Sequence, residues 1–425
     1  MRTLFRCLGI LLACSLLAGC FTWGPTTKTK PATTAGATTA FAPTTVKNVA
    51  LLLPLEGPLG NAGQAIRDGF VTAYNSDSSS NKPAHITIID TYNQSILEAY
   101  NKAIKADADM IVGPLAKNNV QALVQANAIA VPTLALNYLD SNVSAPAKLY
   151  QFGLSPLDEA RQAAALAHQN GGKNAVIIAP HNSWGQTLAQ TYENEWQALG
   201  GNVVAKLYFS EDSTELNNQI KNLVNAHKQK FDVILLAASP QMARQIKPLL
   251  KFYYAGDVPV YATSLVYTGT PQPAYDTDLN GITFCDMPWI LTTDSAALKL
   301  RQQIALFWAV NFKQNARLYA LGIDAYQLVE KLPQLINNQQ TITGTTGNLF
   351  LNNQHLIVRQ LTCAQFNRGV PEVLTSNTVA NNPPAKTEAT AASHDDGDDD
   401  SDDNANLASA MNVIDNAADQ TDEQN

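Results

Sequence analysis

The stretch "VALLLPLEGPLGNAGQAIRDGF", residues Val49–Phe70, decides the fold of this chain. A continuous apolar run meets a turn that contains Gly57, Gly60 and Gly63, and a segment with helical spacing follows. Apolar residues at i, i+3, i+4, i+7 and i+8 from Ala62 predict a helix with one buried face. The stretch is therefore a strand, a tight turn and a helix, which is the repeating unit of a parallel sheet covered by helices.

The same unit recurs along the chain in two series, so we predict an α/β fold with two doubly wound lobes around a cleft. Two later helices return the chain to the first lobe, and Gly347–Leu361 alternates around Asn352-Asn353, which is typical of a hairpin. The folded domain spans 47–375. We assign its lobes as follows: lobe 1 at about 47–147 and 288–335, lobe 2 at about 148–287 and 336–370.

The N-terminus, "MRTLFRCLGILLACSLLAGC", has the pattern of a bacterial lipoprotein signal. Its apolar stretch Leu8–Ala18 is shorter than the about 20 residues that span a bilayer, so residues 1–19 are predicted to be a signal peptide. The end of that stretch matches a lipobox, in which the thiol of Cys20 accepts the lipid. An ordinary signal peptide is the alternative. Phe21, rather than an aspartate, follows Cys20 and favours the outer membrane, facing the periplasm.

The segments that flank the folded domain contain little that can be buried. Residues 20–46 are rich in Thr, Pro, Ala and Lys and are expected to form a disordered tether. The tail, 376–425, is expected to be disordered and acidic, and it lacks the residue spacing of a calcium loop. Residues 387–425 hold twelve acidic residues and no Lys or Arg, so the net charge of -8 leaves the rest of the chain near neutral. This near-neutral charge provides no basic surface of the kind that binds nucleic acid.

The glycine turn resembles a nucleotide loop only in outline. Its G-x-x-G-x-x-G spacing matches neither the dinucleotide nor the P-loop motif, and Pro58 removes one backbone donor. Asp90, the candidate ribose ligand, lies 27 residues past Gly63 rather than about 20. No nucleotide is therefore expected, and the turn is predicted to leave amide groups facing the cleft.

The sequence shows no pattern of a catalytic or metal site, so it does not predict an enzyme. No two histidines lie at i, i+3 or i+4, and the sequence has no H-E-x-x-H, C-x-x-C or G-x-S-x-G motif. Ser183 lies beside His181 in a loop, which is not a triad. Asp286 is a conceivable acid, but a lone carboxylate at a strand end is more often a structural anchor. We predict a protein with no catalytic residue, no metal and no cofactor.

Two features stay open at this point. Cys285 and Cys363 are the cysteines that remain after signal removal and lipidation, and they either pair in the oxidising periplasm or are buried separately. The aromatic run Phe252, Tyr253 and Tyr254 ends a predicted helix. It either packs in the core or forms a surface for a partner.

Four segments together resemble the LppC family of LpoA-like lipoproteins, which activate bifunctional penicillin-binding proteins. They are "VALLLPLEGPLGNAGQAIRDGF", "ARQIKPLLKFYYAGDVPVYATS", "GITFCDMPWIL" and "ARLYALGIDAYQL". The resemblance runs from about Val46 to Gly369. It implies a type I periplasmic-binding-protein-like fold that is anchored in the outer membrane, binds a class A penicillin-binding protein and stimulates its peptidoglycan synthesis.

The chain departs from the longer family members in two ways. Their helical N-terminal domain is replaced by the short tether. Cys363 stands where a tryptophan is expected, and this creates the potential partner of Cys285.

A solute receptor for an amino acid or another small ligand is the alternative function, because such receptors share this fold. In that case the ligand would lie in the cleft, at loops that follow the carboxyl ends of the strands. The cleft-lining candidates are Glu56, Gly57, Asn137, Tyr138, Ser183, Trp184, Ser264 and Asp286.

Overall fold

A computed structural model describes residues 46–374, except 141, 211, 228, 229, 293 and 339. The lipobox with Cys20, the predicted tether as far as residue 45 and the acidic tail 376–425 lie outside these residues. The described part has two lobes, each built on a parallel sheet, together with a small third sheet. The predicted α/β fold with two doubly wound lobes is confirmed.

The first lobe contains five parallel strands in the spatial order β2-β1-β3-β4-β5. In chain order the strands are β1 (Asn48–Leu53), β2 (His85–Asp90), β3 (Met110–Val112), β4 (Thr133–Ala135) and β5 (Leu149–Gln151). The helices between them are α1 (Gly60–Ser76), α2 (Ile96–Lys105) and α3 (Lys117–Gln125). A capping box formed by Ser95 and Glu98 starts α2 and satisfies backbone donors at its first turn.

The central strand β1 is buried on both faces. Val49, Leu51 and Leu53 pack into the largest core cluster, whereas Ala50 and Leu52 pack into a separate cluster on the other face. A strand covered on both sides has no polar face, which is why the sequence here is an unbroken apolar run.

The second lobe repeats this arrangement with strands in the order β7-β6-β8-β9-β10. Its strands are β6 (Asn174–Pro180), β7 (Asn202–Phe209), β8 (Val233–Leu236), β9 (Val260–Ala262) and β10 (Ile282–Asp286). Its helices are α4 (Pro156–Gln169), α5 (Ser183–Ala198), α6 (Ser213–His227), α7 (Pro240–Phe252) and α8 (Pro273–Asp276). A 3-10 turn, Ser264–Val266, follows β9.

After β10 the chain returns to the first lobe through α9 (Pro288–Leu291), α10 (Ser295–Phe307) and α11 (Ala309–Asn338). An antiparallel third sheet follows, made of β11 (Ile342–Thr343), β12 (Asn348–Leu351) and β13 (Ile357–Gln360). The β12–β13 pair is the hairpin predicted at Gly347–Leu361. The last strands, β14 (Thr362–Asn367) and β15 (Val370–Val373), join the second sheet beside β10. No helix in the described ranges is long and apolar enough to cross a membrane.

The lobe boundaries differ from the predicted ones at two places. Leu149–Gln151 pairs with β4 in the first sheet, although it falls in the range 148–287 assigned to lobe 2. A three-residue buried strand has too few residues to show a period, so it was missed. Within 336–370, the strands β11 to β13 form a sheet of their own, and only β14 and β15 belong to the second lobe.

Cys285 and Cys363 lie directly opposite each other on the antiparallel strands β10 and β14. Their sulfur atoms are 2.06 Å apart in a disulfide. The pairing therefore links the parallel part of the second sheet to its antiparallel edge, within one lobe.

The buried carboxylate of Asp324 on α11 holds the turn between β11 and β12. Its oxygens accept hydrogen bonds from the backbone N–H and the hydroxyl of Thr345 and from the same groups of Thr346, at 2.6–2.8 Å. Burial raises the pKa of Asp324 in spite of these bonds. The third sheet is thus fixed to the long helix of the first lobe.

Two glycines allow α1 and α11 to cross at close range. A Cβ on Gly69 would lie 2.2 Å from Tyr319 O, and one on Gly322 would lie 2.1 Å from Ile66 O. Real Cβ atoms do not approach a carbonyl oxygen so closely, so only glycine permits this backbone contact. Gly69 lies in the opening stretch, and its contact binds the return segment to the first lobe.

We expect Gly69→Ala to destabilise the protein by about 1–3 kcal/mol, because the added methyl group overpacks the crossing. Helix propensity alone predicts the opposite sign, a gain of about 1 kcal/mol. The urea midpoint, followed by circular dichroism, decides between the two signs. Asn75→Ala at an exposed position of the same helix is the matched control and should not lower the midpoint. A midpoint raised by Gly69→Ala would contradict the close crossing.

Candidate functional site between the lobes

All eight predicted cleft residues lie near the carboxyl ends of strands, as expected for this fold. They are Glu56 and Gly57 after β1; Asn137 and Tyr138 after β4; Ser183 and Trp184 after β6; Ser264 after β9; and Asp286 at the end of β10. The structure does not bring all eight together.

Three of the eight contribute to a buried polar cluster that connects the two lobes and the third sheet. We call this cluster the interlobe base, and it consists of Tyr138, Glu159, Ser264, Asp286, Arg317 and Arg359. Glu159 lies in the first turn of α4, Arg317 on α11 and Arg359 on β13. Sequence reasoning missed these three charged residues.

Glu56, Gly57 and Asn137 serve local structure in the first lobe. Gly57 has a φ of +73°, and a Cβ there would lie 2.0 Å from the ring of Tyr92, so the turn packs on that ring. Glu56 is exposed and accepts a long hydrogen bond from Asn93 (3.4 Å). The Asn137 amide donates to Leu115 O at 2.8 Å and so ties two loops of the lobe together.

Ser183 and Trp184 begin α5 and do not reach the interlobe base. Asn182 caps this helix by accepting the N–H of Gly185 at 2.7 Å. Ser183 is exposed, and its carbonyl accepts from the hydroxyl of Thr187. Trp184 packs against a core cluster of the second lobe. The contacts of these two residues lie within α5 and the second lobe.

The amides of the glycine turn are used within the turn itself. Gly60 N–H donates to Gly57 O at 2.9 Å, and Gly63 N–H donates to Leu59 O at 2.8 Å. A Cβ on Gly63 would lie 1.7 Å from Pro54 O, so the first turn of α1 packs directly on the end of the strand. The prediction that amides of this turn face the cleft is wrong for Gly60 and Gly63, because both N–H groups donate to carbonyl oxygens of the turn itself.

A partly buried ion pair between Asp286 and Arg317 joins the two lobes. Nη2 of Arg317 donates to Oδ2 of Asp286 at 2.5 Å, and its Nε donates to Oδ1 at 3.2 Å. The same Nη2 donates to Tyr267 O at 3.0 Å, and Oδ1 of Asp286 also accepts the N–H of Met287. Asp286 is therefore a hydrogen-bonded anchor, which is the role that sequence reasoning favoured for it.

Glu159 forms the second polar contact of the interlobe base. Its Oε2 accepts the hydroxyl of Ser264 at 2.7 Å and the N–H of Ser264 at 3.1 Å. Burial raises the pKa of Glu159, and the nearby carboxylate of Asp286 raises it further. The protonated form is therefore favoured relative to an exposed glutamate.

Arg359 is the third charged group, and its surroundings are unusual. Its side chain is only 1 % exposed, and Nε, Nη1 and Nη2 have no hydrogen-bond partner among the described residues. Burial raises the pKa values of Tyr138 and Glu159, and the positive charge of Arg359 partly offsets this at both. The guanidinium therefore lies within electrostatic reach of Tyr138 and Glu159.

The sequence carried signals for two of the missed residues. Glu159 shares the buried face of α4 with Ala163 and Ala167, so it is a charged residue within an apolar stripe. Arg359 falls between Ile357 and Leu361 at the inward positions of the alternating hairpin. A charge at a position where the pattern demands an apolar residue was the available signal.

Both carboxylates of the interlobe base are engaged by neighbouring groups. Across 46–374, gaps excepted, no three His, Cys, Asp or Glu side chains are grouped to hold a metal ion. The carboxylate of Asp286 is paired with an arginine, and Glu159 is engaged by a serine.

A family model described as "LppC putative lipoprotein" matches residues 25–369. The chain belongs to the LppC family. The resemblance carried by the four sequence segments is therefore confirmed. A curated relative from Photobacterium profundum, named penicillin-binding protein activator LpoA, is 30 % identical over 347 residues. That match covers 75 % of this chain and 56 % of the relative, so the chain spans about half the length of the curated relatives it matches.

Solved structures confirm the periplasmic-binding-protein-like fold. The C-domain of LpoA from Haemophilus influenzae, described as a regulator of PBP1A, matches with a TM-score of 0.67 and 26 % identity. The match covers 77 % of this chain and 100 % of that domain. A "putative branched-chain amino acid ABC transporter" from Chromobacterium violaceum matches with a TM-score of 0.61 and 28 % identity, over 75 % of this chain and 100 % of that one.

We expect Glu159→Gln to gain stability relative to the natural protein as the pH rises from about 4 to 8. A glutamate whose pKa is raised in the folded state stabilises that state most at low pH, below its unfolded pKa of about 4.3, and this contribution is lost as the pH rises through the folded pKa. The glutamine oxygen still accepts the bonds from Ser264, without a charge. Urea unfolding across this pH range measures the difference.

Glu330→Gln, at an exposed position of α11, is the matched control for this comparison. Its stability difference from the natural protein should change little with pH. A Glu159→Gln difference that is equally constant would argue against a buried, perturbed Glu159.

Proposed function

We propose that this chain is a lipid-anchored, periplasm-facing protein of the outer membrane that binds a class A penicillin-binding protein and increases its peptidoglycan synthesis. The observation that carries the proposal is the match to a whole LpoA C-domain that is described as a regulator of PBP1A. The name of the curated relative, a penicillin-binding protein activator, supports the same function. In this proposal the protein acts as a regulator and not as an enzyme.

We infer that the synthase contacts a groove on the second lobe, which we call the aromatic groove. It is an open depression of about 460 Å³ lined by Asn217, Arg244, Gln245, Pro248, Leu249 and Phe252. Phe252 is 71 % exposed, and Tyr275 beside Arg244 is also exposed. Aromatic residues and arginine around a concavity are the residue types that dominate binding energy in protein interfaces. Of the aromatic run, Phe252 and Tyr254 are exposed whereas Tyr253 packs against the core, and we infer a partner surface at Phe252.

Hydrogen bonds orient the guanidinium of Arg244 at the edge of the groove. Its guanidinium donates to Asp276 at 2.6 Å and 3.2 Å and to Gln272 at 3.2 Å. An arginine that is already oriented loses less side-chain entropy when a partner binds. The groove therefore offers a preorganised charged edge next to an exposed aromatic ring.

We expect Phe252→Ser to weaken binding of the full chain to a class A penicillin-binding protein by about tenfold or more, because an interface anchor is lost. Pull-down of the purified synthase measures binding, and a cross-linking assay of its transpeptidase measures activation. Phe307→Ser is the matched control, since Phe307 is 78 % exposed on α10 of the other lobe. It should leave both readings unchanged.

Two results would contradict these proposals separately. If the natural chain neither binds nor stimulates any class A synthase, the proposed function fails. If the natural chain binds the synthase, but Phe307→Ser abolishes binding and Phe252→Ser does not, the contact surface has been placed on the wrong lobe.

The lipid anchor is proposed from the lipobox alone. Two acyl chains on one cysteine give stable membrane attachment, whereas a single chain gives only marginal attachment. We expect Cys20→Ala to move the protein from the membrane fraction to the soluble periplasmic fraction. Phe21→Asp is the informative second variant, because it should leave the protein lipidated but retain it in the inner membrane. Cys20→Ala that still sediments with outer membranes would contradict the anchor.

A further inference from the structure

Three large apolar side chains are exposed where α10 passes into α11. Leu306, Phe307 and Val310 are 82 %, 78 % and 76 % exposed. Single exposed apolar residues are ordinary on a protein surface, whereas a group of them marks a surface that is covered by something else. These three lie at positions i, i+1 and i+4 of the chain, and we call them the apolar corner.

The opposite face of the same segment packs in the core and fixes the apolar corner in place. Trp308 N–H donates to Ile304 O at 3.0 Å and Phe312 N–H donates to Trp308 O at 2.8 Å, so helical hydrogen bonding continues across the junction. Ile304 and Phe312 are buried in the largest core cluster, and the half-buried Trp308 packs against it. A surface helix ordinarily has polar residues opposite its buried face. Here the outer face is apolar as well, and the core does not use it.

The segment that carries the apolar corner is basic. From Ser295 to Ile323 the sequence has four Lys or Arg residues and no Asp or Glu. Two of the four are used inside the protein, because Arg301 donates to the carbonyl of Trp289 and Arg317 pairs with a carboxylate. The other two, Lys299 and Lys313, are exposed. The charges that this segment offers to a partner are therefore positive.

We propose that the apolar corner inserts into the periplasm-facing phospholipid surface of the membrane to which the chain is anchored; this inference rests on the lipid anchor of the proposed function. Exposed Leu and Phe side chains beside lysines are the residue types with which a helix enters the interface of an anionic bilayer. Side chains that are more than three-quarters exposed project from the surface, so a fluid apolar layer can surround them without a preformed pocket.

The predicted tether favours a membrane over a second copy of the chain as the occupant. Residues 20–46 span roughly 30 Å as a random coil, so a lipid on Cys20 would hold the folded domain close to the bilayer. Lipid would then be present at the apolar corner at a high effective concentration. A contact made by three side chains and two lysines is weak without the anchor, which agrees with the expected release of Cys20→Ala into the soluble fraction.

The test uses the mature chain, residues 20–425, with Cys20→Ala, so that neither a signal peptide nor a lipid contributes to binding. Flotation with vesicles of three parts phosphatidylethanolamine to one part phosphatidylglycerol measures the bound fraction as the lipid concentration rises. We expect saturable binding that falls about tenfold in Phe307→Ser, because an aromatic side chain no longer leaves water for the bilayer. Phe252→Ser is the matched control, since Phe252 is 71 % exposed on the other lobe, and it should bind as the parent chain does.

Two further variants separate insertion from simple attraction between charges. Phe307→Trp places a fluorophore in the apolar corner, and vesicles with brominated acyl chains should quench its emission more strongly than that of the parent chain. Lys299→Gln combined with Lys313→Gln should weaken binding to the anionic vesicles, because each lysine near an anionic surface adds an attraction that salt screens. The same pair of substitutions should leave binding to pure phosphatidylcholine vesicles unchanged.

Several outcomes would overturn the proposal. They are no binding of the parent chain to the vesicles, equal binding by Phe307→Ser, an equal loss in Phe252→Ser, or no added quenching in Phe307→Trp. Sedimentation of the parent chain without lipid should show a monomer, and a dimer that Phe307→Ser dissociates would mean that a second copy covers the apolar corner. The urea midpoint of Phe307→Ser should lie close to that of the parent chain, because the ring is exposed.

The vesicle assay contains no synthase, and it uses a chain without the lipid. Its failure therefore leaves the proposed synthase binding and the proposed anchor untouched. Failure of the anchor is detected separately, by fractionation of cells that carry Cys20→Ala.

Discussion

The ion pair between Asp286 and Arg317 determines how the two lobes meet. Asp286 ends the last parallel strand of the second lobe, and Arg317 lies on the helix that packs on the first. Asp286 is 1 % exposed and the side chain of Arg317 is 16 % exposed, and removing one partner of a buried pair costs about 3–5 kcal/mol. The remaining polar groups of the interlobe base must find partners within the geometry that this pair sets.

Most of the fold could be predicted because its signals are local. The buried run Val49–Leu53 and the single apolar face of α1 are visible within about ten residues of sequence. The purpose of the glycines was not visible in the same way. Gly69 is required by Tyr319, which lies far along the chain, and Gly63 by the carbonyl of Pro54. The spacing of the glycines argued against a phosphate loop, but only the fold shows which backbone atoms each glycine approaches.

The candidate site was predicted in part, for a related reason. The rule that ligand-binding residues follow strand ends selected eight residues, and three of them, Tyr138, Ser264 and Asp286, belong to the interlobe base. It does not select a partner that comes from a helix face or from a third sheet. Glu159 and Arg359 reach the site in that way, across sequence separations that no local pattern encodes. Their signal was a charge at an apolar position, which carries meaning only once burial is known.

The number of buried charges in the interlobe base is itself an argument about function. Replacing a buried ion pair with apolar residues of similar volume is often neutral or stabilising, so stability alone does not explain Asp286, Arg317, Glu159 and Arg359 together. Specific docking of the lobes accounts for the Asp286–Arg317 pair, because the pair fixes their register. It does not account for Arg359, whose guanidinium bonds no described group. The charge of Arg359 acts instead on its neighbours Tyr138 and Glu159, where it lowers the pKa values that burial raises.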